Sequence, residues 1–500
     1  MGELKTDVLY YGDNLEILRK HIPDNSIDLI YLDPPFSSKR DYNIIFKEPM
    51  GKGPEAQIKA FEDTWHWDRS AEDTYQDIIL NGPPKVGKLI SAMCDGIGRN
   101  DVMAYLVMMT IRLIELRRVL KDSGSLYLHC DPTASHYLKL VLDQVFGAAN
   151  FQNEIIWHYT VGGKSKKRFA RKHDVILFYT KAQDYTFNGK AVGVPRKTGV
   201  HSFGGKIGVD EHGRPYQDKR TKEGKYYRYY LDEGKIPEDV WLIESIQSQA
   251  KERLSWPTQK PESLLERIIL ASSNEGDVVL DPFCGCGTAL VAAQKLNRRW
   301  IGIDITHLAI NVMKKRLWDS FGLKAGIDYQ VIGEPKDFAS ACALAQSEPN
   351  GRYQFQWWAL SLIGAKPLGE KKKGADKGID GVIDFIDEHG GKAKRTVVQV
   401  KSGHTHVKDI RELRSIAEQN DMGIFITLAS PTKDMQTEAV SAGYYHSALY
   451  GKDFPKIQIL TIEELLQGKK VDMPPTSIEF MPRAPKLSKE EGEQIALEDA

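Results

Sequence analysis

Between Val278 and Asp304 the chain reads as a strand, a glycine turn, a helix and a second strand, and this unit restricts the fold more than any other segment. A strand over Val278 to Leu280 runs into Asp281-Pro282-Phe283-Cys284-Gly285-Cys286-Gly287-Thr288; a helix is expected over Thr288 to Leu296 and a strand from Trp300 to Asp304. Two strands joined through a helix pair in parallel, which makes the sheet an α/β sheet covered on its faces. Glycines in the turn let backbone approach a ligand where a Cβ would clash, and the helix N-terminus that follows leaves N–H donors unpaired. Asp304 comes 23 residues after Asp281, a spacing at which an acid can accept both hydroxyls of a ribose. A turn required only for packing would look the same in isolation.

The alternation extends through much of the chain. Strand Val8 to Tyr11, helix Asn14 to Lys20 and the apolar strand Ile27 to Leu32 open it. A long amphipathic helix over 102–120, a strand from Ser125 to His129, a helix from Ser135 to Phe146 and a helix from Pro261 to Ser273 continue it. The pattern predicts a doubly wound, mostly parallel sheet. With 500 residues at least two domains are expected. Lys plus Arg and Asp plus Glu both total 68, so an anionic partner must be held by local basic surface. That surface lies between Val161 and Tyr230, where periodicity collapses and 17 basic residues face 6 acidic ones, a local excess of 11. Five cysteines without metal-ligand spacing suggest reduced thiols in a cytoplasm. No stretch approaches the roughly 18 uncharged apolar residues of a membrane span.

Asp33-Pro34-Pro35-Phe36 follows a strand that should be buried on both faces, at the edge where open α/β sheets bind ligands. An exocyclic amino group on a base is a poor nucleophile because its lone pair is delocalised into the ring. Two acceptors that hold its N–H groups draw the nitrogen toward tetrahedral geometry. Asp33 can supply one and the Pro34 carbonyl the other, with Pro35 forcing Pro34 into an extended conformation that aims its carbonyl. Phe36 can stack on the base.

Taken together, these motifs resemble the beta class of DNA amino-methyltransferases (N6-adenine and N4-cytosine), in which the catalytic motif precedes the cofactor motif in a permuted order. The resemblance covers about Leu9 to Leu317 and includes Ser125 to His129, Asn153 to Trp157, Asp174 to Tyr179 and Trp256 to Pro261. It implies an α/β, Rossmann-like domain over 1–330 that uses S-adenosylmethionine to methylate a flipped base in double-stranded DNA, N6 of adenine before N4 of cytosine. By the same resemblance, the motif from Asp281 to Thr288 binds the cofactor, with Phe283, Gly285 and Gly287 flanking its methionine part. Asp304 would hold the ribose, Asp13 the adenine amino group, and Thr258 and Lys260 would close over the methionine part. The family usually has His where Trp256 stands. Residues 159–250 become an inserted target-recognition region, in which Lys164, Lys166, Lys167, Arg168, Arg171 and Lys172 are suited to neutralise phosphates. Tyr226, Tyr227, Tyr229 and Tyr230 are interleaved around Arg228 there. A bacterial or phage protein of the cytoplasm is implied, with a homodimer as the oligomer to look for.

A linker helix is expected within 331–349, a smaller α/β domain over 350–470 and an acidic tail over 471–500. Asp380, Gln399 and Lys401 lie on paired strands and resemble the Mrr-like branch of the PD-(D/E)XK nuclease superfamily. That resemblance implies Mg²⁺ held by Asp380 and Gln399, with Lys401 orienting a water. Phe355 is followed by Gln356 where the family often has Glu. Three readings stay open: methylation with cleavage in a restriction-modification activity, cleavage as the primary activity, and a second domain that only binds DNA.

Overall fold

Nine strands form the main sheet: β1 (Val8–Tyr11), β2 (Ile27–Leu32), β3 (Leu120–Cys130), β4 (Phe151–His158), β5 (His173–Thr180), β6 (Val240–Leu242), β7 (Val278–Asp281), β8 (Arg299–Asp304) and β9 (Gln330–Ile332). A computed structural model describes residues 3–35, 41–46, 56–62, 66–160, 165–194, 207–220, 224–231, 235–247, 249–254, 256, 258–347, 351–368, 378–387, 393–475 and 483–487, with backbone alone for 41–46 and 56–62. Phe36 and Lys164 lie outside the described residues. The strand order is β6-β4-β5-β3-β2-β7-β8-β1-β9. Every pair is parallel except those made by β5, which runs against both β3 and β4. The Rossmann-like α/β reading holds.

Direction decides what meets at one edge. The carboxyl ends of β2, β7, β8 and β1 deliver Asp33, Asp281, Asp304 and Gly12-Asp13 side by side, because these four strands are neighbours. The start of the reversed strand β5 reaches the same edge, with Val175 opposite Cys130 and Ile176 opposite His129 at the end of β3. Alternate residues of β2 enter opposite cores. Ile30 and Leu32 pack with Leu126, Leu128 and Leu106; Leu29 and Tyr31 pack with Tyr127, Leu265 and Leu290. That two-sided burial explains the unbroken apolar run of the strand.

Helices cover both faces: α1 (Asn14–His21), α2 (Asp101–Val119), α3 (Glu262–Ser272), α4 (Thr288–Lys295) and α5 (His307–Phe321). The sequence suggests an amphipathic α2, but Met103 through Ile111 are all buried. This helix sits between the sheet and a further layer made by the helices Arg69–Asn81 and Pro84–Ile97, so it has no wet face between Met103 and Ile111. Ser135 to Phe146 is helical, but its end, Asp143–Gly147, widens into a π-turn.

Within the irregular basic region a small antiparallel sheet forms from Gly208–Val209, Pro215–Arg220 and Tyr226–Tyr230. The second unit carries a five-stranded sheet of Lys366–Pro367, Gly381–Phe385, Lys394–Lys401, Met422–Thr427 and Ile457–Thr461, in that order. The helix Phe338–Gln346 is more than a linker, because Ala341 and Leu344 join the core of this second unit beside Phe355 and Trp358 of α6 (Gly351–Leu362). The two units touch through α6. Gln354 Oε1 accepts from the His307 N–H at 3.3 Å, and Trp357 packs on a core of the first unit. Part of the expected tail returns to the first unit, with the Leu487 N–H donating to the Ser320 carbonyl at 3.0 Å and Ala484 buried.

Candidate active site

Four strand ends and their loops enclose a cleft of about 240 Å³ lined by Asp13, Asp33, Pro34, Pro35, Trp256, Thr258, Lys260, Asp281, Phe283, Gly285, Thr288 and Asp304. The two motifs, some 250 residues apart in the chain, thus share one cavity. Gly285 and Gly287 adopt φ of +49° and +76°. A Cβ on Gly285 would lie 3.3 Å from Trp256 Nε1, and one on Gly287 would lie 2.8 Å from Met313 Cγ. These are positions that L side chains rarely occupy.

The carboxylates are arranged by their donors. Asp304 Oδ2 accepts from the Gly285 N–H at 2.9 Å, while Oδ1 accepts from the Thr306 N–H at 2.8 Å and its hydroxyl at 2.9 Å. Burial nevertheless pushes Asp304 up to about 6. Asp281 is buried, accepts from the Phe283 N–H at 3.1 Å, and is raised well above the usual carboxylate range, by burial first and by Asp33 and Asp304 after it. Asp33 is ion-paired with Lys260. Lys260, expected to close over a cofactor, therefore lies between the two halves of the cleft, touching the Asp33 carboxylate and the Thr258 carbonyl.

Asp13 lines the cleft and has two partners within the protein. Its Oδ1 caps α1 through the Leu15 N–H at 2.8 Å, and its Oδ2 pairs with Arg112 at 2.6 Å. Arg112 is a site residue that the sequence hid as a single cation interrupting an apolar run. Burial lowers its pKa and Asp13 pulls it back up, while its Nε donates to Asn14 Oδ1, whose amide donates to the Pro282 carbonyl at 2.8 Å. This chain of contacts ties α2, α1 and the glycine turn together. Trp256 is buried against Gly285 and roofs the turn. Thr288 lines the cleft, and its hydroxyl accepts from Arg316 at 3.1 Å.

Lys166, Lys167, Arg168 and Arg171 are exposed on the loop joining β4 to β5, which is closed at its base by the Tyr159 N–H donating to the Lys172 carbonyl at 3.0 Å. Lys172 itself turns back to the Thr160 carbonyl at 2.7 Å. Arg228 is committed to Asp218 at 2.9 Å and stacks over Tyr216, while Tyr226 and Tyr227 stay exposed.

In the second unit, Asp380 Oδ2 accepts from the Val400 N–H at 2.7 Å, and Gln399 is buried with no hydrogen-bond partner for its Oε1. Among the described residues no group of three His, Cys, Asp or Glu side chains is arranged to hold a metal ion. One carboxylate and one amide oxygen are a poor donor set for Mg²⁺, which favours carboxylates and octahedral geometry.

Residues 27–315 match the family described as DNA methylase, and with more than half of its length matched the chain belongs to that N6/N4 family. Type II methyltransferase M.HpaI of Haemophilus parainfluenzae is 34% identical over 274 residues, covering 54% of this chain and 77% of that protein. DNA adenine methyltransferase YhdJ of Escherichia coli (strain K12) is 32% identical over 318 residues, covering 63% of this chain and 83% of that one. Among solved structures, PvuII DNA methyltransferase (cytosine-N4-specific) aligns with 62% of this chain and 88% of its own, at 14% identity and a TM-score of 0.37. Residues 354–467 match a family described as NACHT-associated inactive Restriction Endonuclease 1. No helix among the described residues is long and apolar enough to cross a membrane.

Proposed function

We propose that this chain methylates N6 of adenine in double-stranded DNA with S-adenosylmethionine as donor. The observation that carries this is the shared cleft, in which Asp33 and Pro34 face the Asp281–Thr288 turn and Asp304. The residues fit the donor: the turn gives backbone access at Gly285, Asp304 suits the ribose, and Trp256, Thr258 and Phe283 line the remaining wall, whereas Gly287 packs against Met313 outside the cleft lining. The bound donor would supply an electrophilic methyl group on a sulfonium. Asp33 and the Pro34 carbonyl would hold the two N–H groups of the flipped base and orient its lone pair, with both acceptors fixed before the reaction. Adenine is preferred over cytosine because Asp opens the Pro-Pro motif, and YhdJ carries adenine in its name.

The purified protein, incubated with unmethylated DNA and labelled donor, is expected to leave N6-methyladenine at one recurring sequence. Asp33→Ala should lower the rate about 10²–10³-fold, the range lost when one preorganised hydrogen-bonding group is removed, with donor affinity changed by less than about threefold. N4-methylcytosine in the map would replace adenine with cytosine. No transfer by the wild type would sink the reading.

The second unit is read as a nuclease fold that binds DNA without cutting it, because its donor set is short of a metal site and the family it matches is described as inactive. Mg²⁺-dependent cutting that disappears in Lys401→Ala would instead favour the cleavage reading through Asp380, Gln399 and Lys401.

A further inference from the structure

A buried hydrogen-bond chain runs from the cleft toward solvent through residues that the two motifs leave out. Tyr31 lines the cleft and stands two residues before Asp33 on β2, on the same side of the strand. Its hydroxyl lies 3.0 Å from Nδ1 of His129, a fully buried residue at the end of β3. His129 Nε2 lies 3.3 Å from Asp174 Oδ2 at the start of β5, and Asp174 Oδ1 accepts from the Tyr159 hydroxyl at 3.3 Å. Asp174 is the partly open end of the chain, with 20% of its side chain exposed. Burial opposes its charge, but the His129 contact and Lys260 outweigh burial and leave its pKa lowered.

The network assigns the ring. Asp174, a carboxylate, can only accept, so Nε2 carries the hydrogen. In the neutral imidazole Nδ1 then accepts, and the Tyr31 hydroxyl donates to it. The remaining lone pairs of the Tyr31 oxygen are left free to accept from a group in the cleft. Acid, imidazole and hydroxyl in hydrogen-bonded series are the arrangement by which a general base is oriented and its positive charge stabilised.

We propose that Tyr31, oriented by His129 and Asp174, takes the proton that methyl transfer releases from the target amino group. This inference rests on the methyl-transfer reading. When the amino nitrogen bonds to the methyl carbon, the carbon–sulfur bond breaks with its electron pair left on sulfur, and the nitrogen must lose one proton. Asp33 is already paired with Lys260 and keeps its role as a holding acceptor. The proton passes to the Tyr31 oxygen as the hydroxyl proton moves to His129 Nδ1. The imidazolium so formed is stabilised by Asp174; once the product leaves, Nδ1 passes its proton back to the Tyr31 oxygen, which gives up its cleft-side proton to water, so Nε2 keeps its hydrogen and the starting tautomer is restored. Tyr31 would be the group in contact with the reacting atoms; His129 and Asp174 are positioning residues.

Single-turnover transfer to a duplex containing the mapped site tests this in the full-length protein, with donor affinity measured on the same preparations. Tyr31→Phe keeps the ring and its packing. It is expected to slow transfer about 10²-fold, the lower range for general-base loss, with donor Kd within about twofold and DNA KM unchanged. His129→Asn should slow transfer similarly, and the double variant should be no slower than either single one, because the residues act in one series. Wild-type rates in Tyr31→Phe would overturn the proposal and leave proton loss to Asp33. Equal losses of rate and donor affinity would also overturn it, by making the chain a packing element. A wild-type protein that transfers no methyl group fails the methyl-transfer reading itself, an outcome distinct from either.

Discussion

Asp304 holds three protein donors and is still raised to about 6 from an ordinary 3.8, so burial outweighs hydrogen bonding at this residue. A carboxyl whose folded pKa is raised favours folding most below its unfolded pKa, and that contribution is lost as pH rises through the folded value. Ribose binding needs the opposite form, the carboxylate as acceptor. Donor affinity is therefore expected to strengthen as pH rises through about 6 and to level off above about 7, with a limiting slope near tenfold per pH unit on the acid side. Calorimetric titration from pH 5 to 8 checks this, with Asp304→Asn separating it from Asp281, which titrates in the same cleft. A flat profile in the wild type would count against the ribose assignment. At this scale the motif residues Asp33, Asp281, Gly285 and Asp304 were readable because local spacing carries their chemistry. Tyr31, His129, Asp174 and Arg112 were not, because their partners stand 98, 45 and 99 positions away and only strand order brings them together.

Element by element, the sequence pattern resolved most strands of the main sheet, since two-sided burial writes itself as an apolar run. It could not give direction. β5 is an unbroken buried run from Val175 to Thr180, yet nothing in that run says that it lies against its neighbours in the opposite direction, and that reversal is what carries Asp174 to the ligand edge. The helix Arg69–Asn81 escaped for a different reason: only Tyr75 and Ile78 are buried along it, too few to make a stripe. The glycine turn was legible as an element because its conformation demands its residues. Gly287 sits at φ +76° as the N-cap of α4, with Met313 filling the space a Cβ would need. Gly287→Ala should cost about 1–2 kcal/mol from the left-handed conformation alone, read as a melting temperature lower by a few degrees. Gly276→Ala is the control, since its φ is similar at +81° and no atom lies within 4 Å of the added Cβ. Equal losses in both variants would assign the cost to backbone alone, and a larger loss at Gly287 to the Met313 contact.

For the molecule as a whole, a formal net charge of zero removes any long-range pull on DNA that a basic chain would exert, so affinity must come from where cations are concentrated. The second unit is joined to the first through α6 and the returning residues 484–487, which stand on α5. The basic β4–β5 loop instead emerges beside Asp174 and so beside the cleft, where phosphates flanking a flipped base would pass. Each cation that neutralises a phosphate releases about 0.9 counterion, so the slope of log K against log salt counts contacts. Lys166, Lys167, Arg168 and Arg171 are exposed on that loop, whereas Lys172 and Arg228 are committed to protein acceptors. Replacing those four by Gln should make the slope shallower by about 3.6 and weaken binding to every sequence alike, because phosphate contacts position the protein without reading bases. Lys172→Gln should change the slope by much less than one contact. Filter-binding isotherms at several salt concentrations decide it: an unchanged slope in the fourfold variant would move the DNA track away from this loop.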